Sequence, residues 1–465
     1  MTDTTRFVVL GLGAARSAWF GDITRWANSG AVPGEFIKCL SVAEVRVRLR
    51  SPRPHTALLI ESGLPGLDRD LLAAAHDARC AVIVVGDPSL APDSLGIIGH
   101  RLTADFDRTD LLAALRATAR RVAPVAADDF DLDQLTARAA RALGDRSGPD
   151  QNPPPEPDDR DPGLIVAVTG SGGTGASLLA MGLAQALADS SRPEPDGLRP
   201  AARPAPHRHP VLLADLRRAG QLAMLHDCDP AHPGVQELAE AHRRASLAPA
   251  EVRALGCPTG RGYPLLPGLR QVRMWPTVRP AAFRCGLDSL AASYGHVVAD
   301  IDSDFEGEAE GGSAGVEDRN AMSRISAMAA AVIMVIGLPT LKGIHSMTRV
   351  TSDLVGLGVA PDRIVAVVNR SPRHARERAR LASALADLIA TASNVVPACV
   401  VFVPELGVEG HLRDGTALPA ALGRPLIGAL RAVVARTQSG GATRTADEPL
   451  AQRIQPGSIG VWAQA

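Results

Sequence analysis

Between Thr169 and Ser177 the chain reads TGSGGTGAS. Gly170, Gly172, Gly173 and Gly175 let successive backbone N–H groups converge on phosphate oxygens with no Cβ in the way. The apolar run LIVAV precedes the loop and ASLLAMGLAQAL follows it, so the loop opens onto a helix N-terminus, whose partial positive charge favours an anion. Ser177 stands where a hydroxyl is needed to coordinate a divalent cation. Against G-x-x-x-x-G-K-[ST], Gly170, Gly175 and Ser177 match, but Ala176 occupies the lysine position. The missing ammonium would have neutralised charge developing on the terminal phosphates, and donors of that kind contribute about 10²–10³-fold in rate. Only two lysines, Lys38 and Lys342, occur in the whole chain. No lysine near the loop in sequence can substitute; an arginine could. The expected nucleotide seat is therefore Gly170, Gly172, Gly173, Thr174, Gly175, Ala176 and Ser177, with weak or absent turnover.

Such a loop works only where a strand delivers it and a helix leaves it. Residues 164–168, 211–214, 262–266, 296–299, 331–336, 364–368 and 400–403 are short apolar runs. Helix-forming segments at 176–188, 281–294, 341–357, 376–392 and 425–436 fall between or after them. Solid apolar runs alternating with helices predict a parallel sheet covered on both faces, with its ligand beyond the carboxyl ends of the strands. The first 125 residues repeat that grammar on a smaller scale, with strands at 6–10, 35–40, 56–61 and 81–85 and helices at 14–28, 42–49, 68–78 and 107–122. A chain of 465 residues exceeds one ordinary domain. The segment DRSGPDQNPPPEPDDRDP is too rich in proline and charge to pack. The expected organisation is α/β throughout: a domain at 1–125, a Pro-rich linker at 126–162, a doubly wound P-loop domain at 163–437 and a loose tail at 438–465. Flexible insertions are expected near 190–210 and 305–319.

Residues 163–436 resemble the deviant Walker A ATPases of the ParA/MinD superfamily, whose loop reads K-G-G-x-G-K-[ST]. Aligned that way, the loop lysine falls on Ala176, and the signature lysine that reaches across a dimer falls on Ser171. VLLADLRRAGQLAML is similar to the family's D-x-D segment. Asp215 matches the first carboxylate, while the second, which positions the attacking water, falls on Arg217, and a guanidinium cannot act as that base. HVVADIDSD resembles the Walker B strand, with Asp300 as the water-mediated Mg²⁺ partner and Asp302 close by. IVAVVNR resembles the strand whose terminal Asn369 recognises adenine. VVFVPE resembles the strand leading to a base-packing proline, Pro404, and GVEGHLRDGTAL the segment after it. The resemblance thus implies ATP and Mg²⁺ as ligands, with Ser177, Asp215 and Asp300 on the metal side. The departures at Ser171, Ala176 and Arg217 all weaken hydrolysis and imply a degenerate ATPase with no assigned catalytic residue.

In the first domain, TALLIESGLPGLDRDLL resembles the third strand and following loop of response-regulator receiver domains. Glu61 occupies the place of the phosphorylatable Asp, and Pro65 and Gly66 match the turn. The acidic pair after the first strand is replaced by Gly11, Leu12 and Gly13, and RLTADFD lacks the expected lysine. This resembles a pseudo-receiver used for protein contact. A pseudo-receiver ahead of a degenerate ParA/MinD-like domain is similar to the CpaE/TadZ-like branch of the superfamily, and within it to the septum-site-determining proteins. That resemblance implies a nucleotide-binding regulatory scaffold in septum-site selection or cell-division control, working with protein partners and able to form a homodimer. Three alternatives stay open: a localisation factor for pilus assembly, a slow ATPase in which an arginine replaces the lysines, and a pure interaction protein with an empty pocket.

Composition narrows the partners. A formal net charge of −1 supplies no global field for nucleic acid or anionic membrane. Aromatic content of 3% argues against base-stacking platforms. No apolar run reaches the roughly 18–20 residues that span a bilayer, and the N-terminus lacks a basic n-region and cleavage site. The tail ADEPLAQRIQPGSIGVWAQA is broken by Pro456 and Gly457 and does not form a basic amphipathic membrane helix. Recruitment to septum or pole would then fall to a protein partner. Cys39, Cys80, Cys228, Cys257, Cys285 and Cys399 form no C-x-x-C pair and predict reduced, mostly buried thiols in a cytoplasmic protein. His226, Asp227, Cys228, Asp229 and His232 cluster in sequence but match no familiar zinc spacing. His207 and His209 fall in an expected insertion. Arg370, Arg373 and the RERAR run at 376–380 read as a solvated helix face.

Overall fold

The computed structural model describes residues 6–14, 17–51, 53–64, 67–87, 98–122, 163–191, 209–308, 314–393 and 395–438. The expected linker, Pro65 and Gly66, most of the 190–210 insertion and the tail beyond Gln438 lie outside the described residues. The chain divides into two compact units, Met1–Asp161 with Ala241–Ser246, and Pro162–Glu240 with Leu247–Ala465.

The first unit is built from β1 (Phe7–Leu12), α1 (Trp19–Asn28), β2 (Gly34–Cys39), α2 (Val42–Leu49), β3 (Ala57–Glu61), α3 (Arg69–Asp77), β4 (Ala81–Val85), β5 (Ile98–Leu102) and α4 (Arg108–Thr118). Its strands pair in the order β2-β1-β3-β4-β5, and every pairing is parallel. This is one of the two common doubly wound orders. Alternate residues face opposite layers: Leu10, Leu58, Ile60 and Val82 join one core cluster, and Phe7, Val9, Leu59 and Ile83 the other. Asp107 opens α4 with a capping box, accepting from Thr109 N and Asp110 N while Asp110 accepts from Asp107 N. β5, with the sequence IGHRL, has no apolar run, and its polar residues are tolerable because it pairs on one side only.

The second unit runs β6 (Leu164–Gly170), α5 (Ala176–Ser190), β7 (His209–Leu216), α6 (Leu222–Leu225), α7 (Val235–His242, of which Ala241 and His242 count with the first unit), α8 (Pro249–Ala254), β8 (Leu265–Leu266), α9 (Pro280–Ser293), β9 (Tyr294–Ile301), α10 (Ala314–Ala329), β10 (Val332–Gly337), α11 (Leu341–Gly356), β11 (Ile364–Ser371), α12 (Ala375–Ser393), β12 (Cys399–Pro404), α13 (Glu409–Arg413) and α14 (Ala420–Gln438). The sheet order is β12-β11-β10-β6-β9-β7-β8, again parallel at every pairing. From β6 the chain first builds one side of the sheet, then crosses to build β10 to β12 on the other. The end of β6 is therefore a switch point, where open α/β sheets leave a crevice for ligands. Period-two alternation divides the core. Ile165, Ala167, Val297, Ala299, Ile333 and Val335 face one side. Val166, Val168, Val298, Met334 and Ile336 face the other, against α5 and α14.

Two expectations need correction. The segment 305–319 is not all a surface insertion: Phe305 is buried in the core, and α10 begins at Ala314. Its charged first turns, AGVEDRN, hide a helix whose apolar side appears only from Ala321 onward. The cysteines are also not all thiols, since Cys228 and Cys257 form a disulfide across 29 residues with Cα atoms 6.4 Å apart. Cys257 also bridges antiparallel to Leu265, and no sequence spacing announces its pairing with Cys228. Cys39 and Cys80 are buried thiols, their pKa values pushed up to about 11 and about 12 by burial. The RERAR side chains lie mostly exposed on α12, with Arg378 donating to the carbonyls of Pro372 and Arg373.

Candidate functional site

β6 ends at Gly170, and α5 starts at Ala176. Between them Gly173 and Gly175 take φ of 81° and 83°, the left-handed region that only glycine enters without strain. Among the described residues, a Cβ added at Gly172 or Gly173 meets nothing within 4 Å. Thr174 folds inward, its hydroxyl donating to Ser171 O at 2.7 Å. A cavity of about 320 Å³ opens on Ser171, Gly172, Gly173, Gly175, Ala176, Ser177, Arg217, Ala219 and Gln221.

Asn369, on β11, is 4% exposed, and its amide donates to Thr174 O at 2.8 Å. Its Oδ1 accepts from Arg370 N at 2.9 Å, aided by a positive φ of 52° at Arg370. The side chain therefore braces the glycine loop from beneath, a contact that adenine recognition does not anticipate. Replacing Asn369 with Ala removes the donor to a buried carbonyl and should cost about 1–3 kcal/mol. Faster hydrogen exchange confined to residues 171–177 is the expected signature; unchanged exchange there would show that the brace carries no weight. Pro404 ends β12 in an exposed position and is not among the residues lining the cavity.

The carboxylates sit one and two strands away. Asp300 on β9 is opposite Val168 of β6, fully buried, and its Oδ2 accepts from Ser177 Oγ at 2.5 Å. Its Oδ1 faces Arg217 Nη1 at 3.4 Å. Burial pushes Asp300 up to about 6, with Arg217 and Ser177 opposing. Asp215 lies opposite Asp300 in register on β7, but its oxygens accept from Leu222 N at 3.0 Å and Arg217 N at 3.4 Å. Burial, then the neighbouring Asp300, pushes Asp215 up to about 7. Gly220 packs so closely on this carboxylate that no side chain fits there. Asp215 thus shapes the turn after β7 and does not line the cavity.

Arg217 is the arginine that sequence alone could not place. It lines the cavity, and its Nε lies 3.6 Å from Asp302. Arg218 holds Asp302 at 3.0 Å and Asp304 at 3.3 Å. These contacts do not fit Mg²⁺. Arg217 Nη1 stands 3.4 Å from Asp300 Oδ1, and a guanidinium at that carboxylate repels a divalent cation. Ser171 hydrogen-bonds Ser346 of α11. Lys342 is exposed one helical turn before Ser346.

His226 supports the turn that carries Arg217. It is buried, with Nδ1 2.7 Å from Leu222 O and Nε2 3.1 Å from Tyr263 Oη. The geometry suits the neutral ring, with Nδ1–H donating and Nε2 accepting. Burial lowers its pKa to about 4. The contribution is complete above the unfolded value of about 6.5 and is lost as pH falls toward 4, roughly 3 kcal/mol in all. Asp215 and Asp300, with raised pKa values, act in the opposite sense over this range, so the check is a difference. The stability gap between the protein and its His226→Gln variant, from urea unfolding, should shrink between pH 7 and pH 4.5. A constant gap would mean that the ring is not held neutral.

At unit 1's own switch point, Glu61 Oε2 accepts from Ala14 N at 2.7 Å and from Ser17 Oγ. Its carboxylate is closed onto the loop after β1.

No family model matches the chain, and no curated protein matches it. It is similar to solved structures. One is a ParA family ATPase from Chlorobium tepidum TLS, at 15% identity and TM-score 0.41, over 57% of this chain and 98% of the other. Another is the cell division ATPase MinD of Pyrococcus furiosus, at 16% identity and TM-score 0.40, over 59% and 99%. A third is the septum site-determining protein MinD from Pyrococcus horikoshii OT3 complexed with Mg-ADP, at 18% identity and TM-score 0.40, over 61% and 99%.

Proposed function

We propose that the chain is a nucleotide-binding regulatory scaffold of the ParA/MinD kind with a degenerate hydrolytic site, acting in septum-site selection or cell-division control as the septum-site-determining branch does. One juxtaposition carries this: an open glycine loop shares its cavity with Arg217, where the family's water-positioning carboxylate belongs. A phosphate can be held there by backbone N–H groups, the α5 N-terminus and a guanidinium. Among the described residues, no carboxylate lines the cavity to activate water. Nucleotide sets the conformation or dimerisation of the 163–437 domain. The 1–125 domain acts as a pseudo-receiver that reads a protein partner, a view supported by its 2-1-3-4-5 strand order and by the closed Glu61 carboxylate. A pilus-assembly localisation factor would be the same scaffold with another partner.

A slow ATPase is the second reading, favoured by Arg217 lining the cavity and able to supply charge that Ala176 lacks. Calorimetry with ATP and ADP on the full chain, paired with a phosphate-release assay, separates the readings. Binding with release no faster than in an Asp300→Ala variant is the expected result. Release that vanishes in that variant would make the chain a true ATPase. No heat with either nucleotide would sink both.

A further inference from the structure

We infer that Arg217, with Arg218 beside it, supplies from within the chain the positive charge that a divalent cation brings to other glycine-loop sites, so that the cavity holds the polyphosphate of a nucleotide without metal. This rests on the nucleotide reading above and names how that site recognises its ligand.

In glycine-loop sites generally, the Ser or Thr hydroxyl and a strand-end Asp hold Mg²⁺ against the phosphates. Here Ser177 donates to Asp300 at 2.5 Å, which leaves the serine oxygen's lone pairs open, and what sets the site apart is the cation beside this pair. The carboxylates of Asp300 and Asp302 face two guanidinium groups, Arg217 at 3.4 and 3.6 Å and Arg218 at 3.0 Å. Two fixed positive charges thus meet the two negative charges that would otherwise balance a divalent ion. Adding Mg²⁺ would set it beside a guanidinium already close to Asp300, and like charges at that distance repel strongly in a partly buried site.

Arg217 also has the means to meet phosphate. Its contacts to the carboxylates are longer than a well-formed charged hydrogen bond, which runs about 2.7–2.9 Å. A guanidinium carries five N–H donors in a planar fork suited to phosphate. The side chain is 18% exposed, and that exposure opens into the cavity shared with Gly172, Gly173 and Ser177. At about 320 Å³ the cavity lies at the small end of ligand sites, in keeping with a phosphate chain.

The test uses ADP and the full chain, by calorimetry, in EDTA and in excess Mg²⁺. The expected Kd in EDTA lies within about threefold of that in Mg²⁺. Arg217→Gln should weaken binding in EDTA about tenfold or more, equivalent to about 1.4 kcal/mol. Arg217→Lys, which keeps a point charge, should fall between. Circular dichroism and thermal melting confirm that each variant is folded. ADP binding that requires Mg²⁺ overturns the inference and leaves the nucleotide reading standing. So does an Arg217→Gln variant that binds ADP in EDTA as tightly as the unaltered chain. No binding in either buffer overturns the nucleotide reading, and the inference with it.

Discussion

Replacing Gly175 with Val should weaken nucleotide binding at least about 100-fold, equivalent to about 2.7 kcal/mol, and destabilise the second unit as well. Two effects act at this residue. Its φ of 83° lies where a β-branched side chain is strained. A Cβ would also lie 2.5 Å from Asn369 Nδ2, the donor that braces Thr174 O. Strain together with a displaced buried hydrogen bond amounts to roughly 2–4 kcal/mol. Gly172→Ala makes the informative contrast. Its Cβ meets no atom of the described residues within 4 Å, so stability should change by less than about 0.5 kcal/mol. Yet the added methyl enters the space where phosphate would sit, and affinity should fall about tenfold, or about 1.4 kcal/mol. The pair separates a loop needed for folding from a loop needed for ligand. If Gly172→Ala binds ADP unchanged, the phosphate does not lie over that glycine.

Phe283→Ala should cost the second unit about 3–5 kcal/mol, the usual range for deleting a buried aromatic ring. Phe283 is fully buried on α9 and shares one core cluster with Leu287, Val297, Ala299 and Ile301. The last three belong to β9, the strand that carries Asp300. The cavity left behind therefore loosens the strand beside the glycine loop as well as lowering global stability. With two units in the chain a single unfolding transition is not assumed. Hydrogen exchange resolved on α9 and β9 is the suitable measurement, since it reads opening free energy locally. A loss below about 1 kcal/mol there would mean that α9 packing does not hold β9 in place.

Much of the architecture was readable from hydrophobic runs. Residues 164–168, 331–336 and 364–368 became β6, β10 and β11, because a strand buried on both faces must be apolar at every position. Elements that do not need such runs escaped: β5, with a glycine, a histidine and an arginine, pairs on one side only, and α10 begins in a charged segment. The glycine loop was legible because its chemistry is local, a strand, four glycines and a helix within one stretch of chain.

The rest of the site is assembled across sequence separations of 83 to 195 residues, and there side-chain direction decides. Asp300 and Asp215 end neighbouring strands in register, yet one meets Ser177 and the other turns onto Leu222 N. Asn369 lies on β11 and faces the loop carbonyl. Arg217 read as the loss of a base; packing makes it a cation inside the cavity. Residue order thus determined that a glycine loop joins a strand to a helix and which charges it lacks, because backbone conformation follows from neighbouring residues. Only the folded chain decided which charge took their place, because ionic partners are chosen by strand register and burial, and neither is written in local sequence.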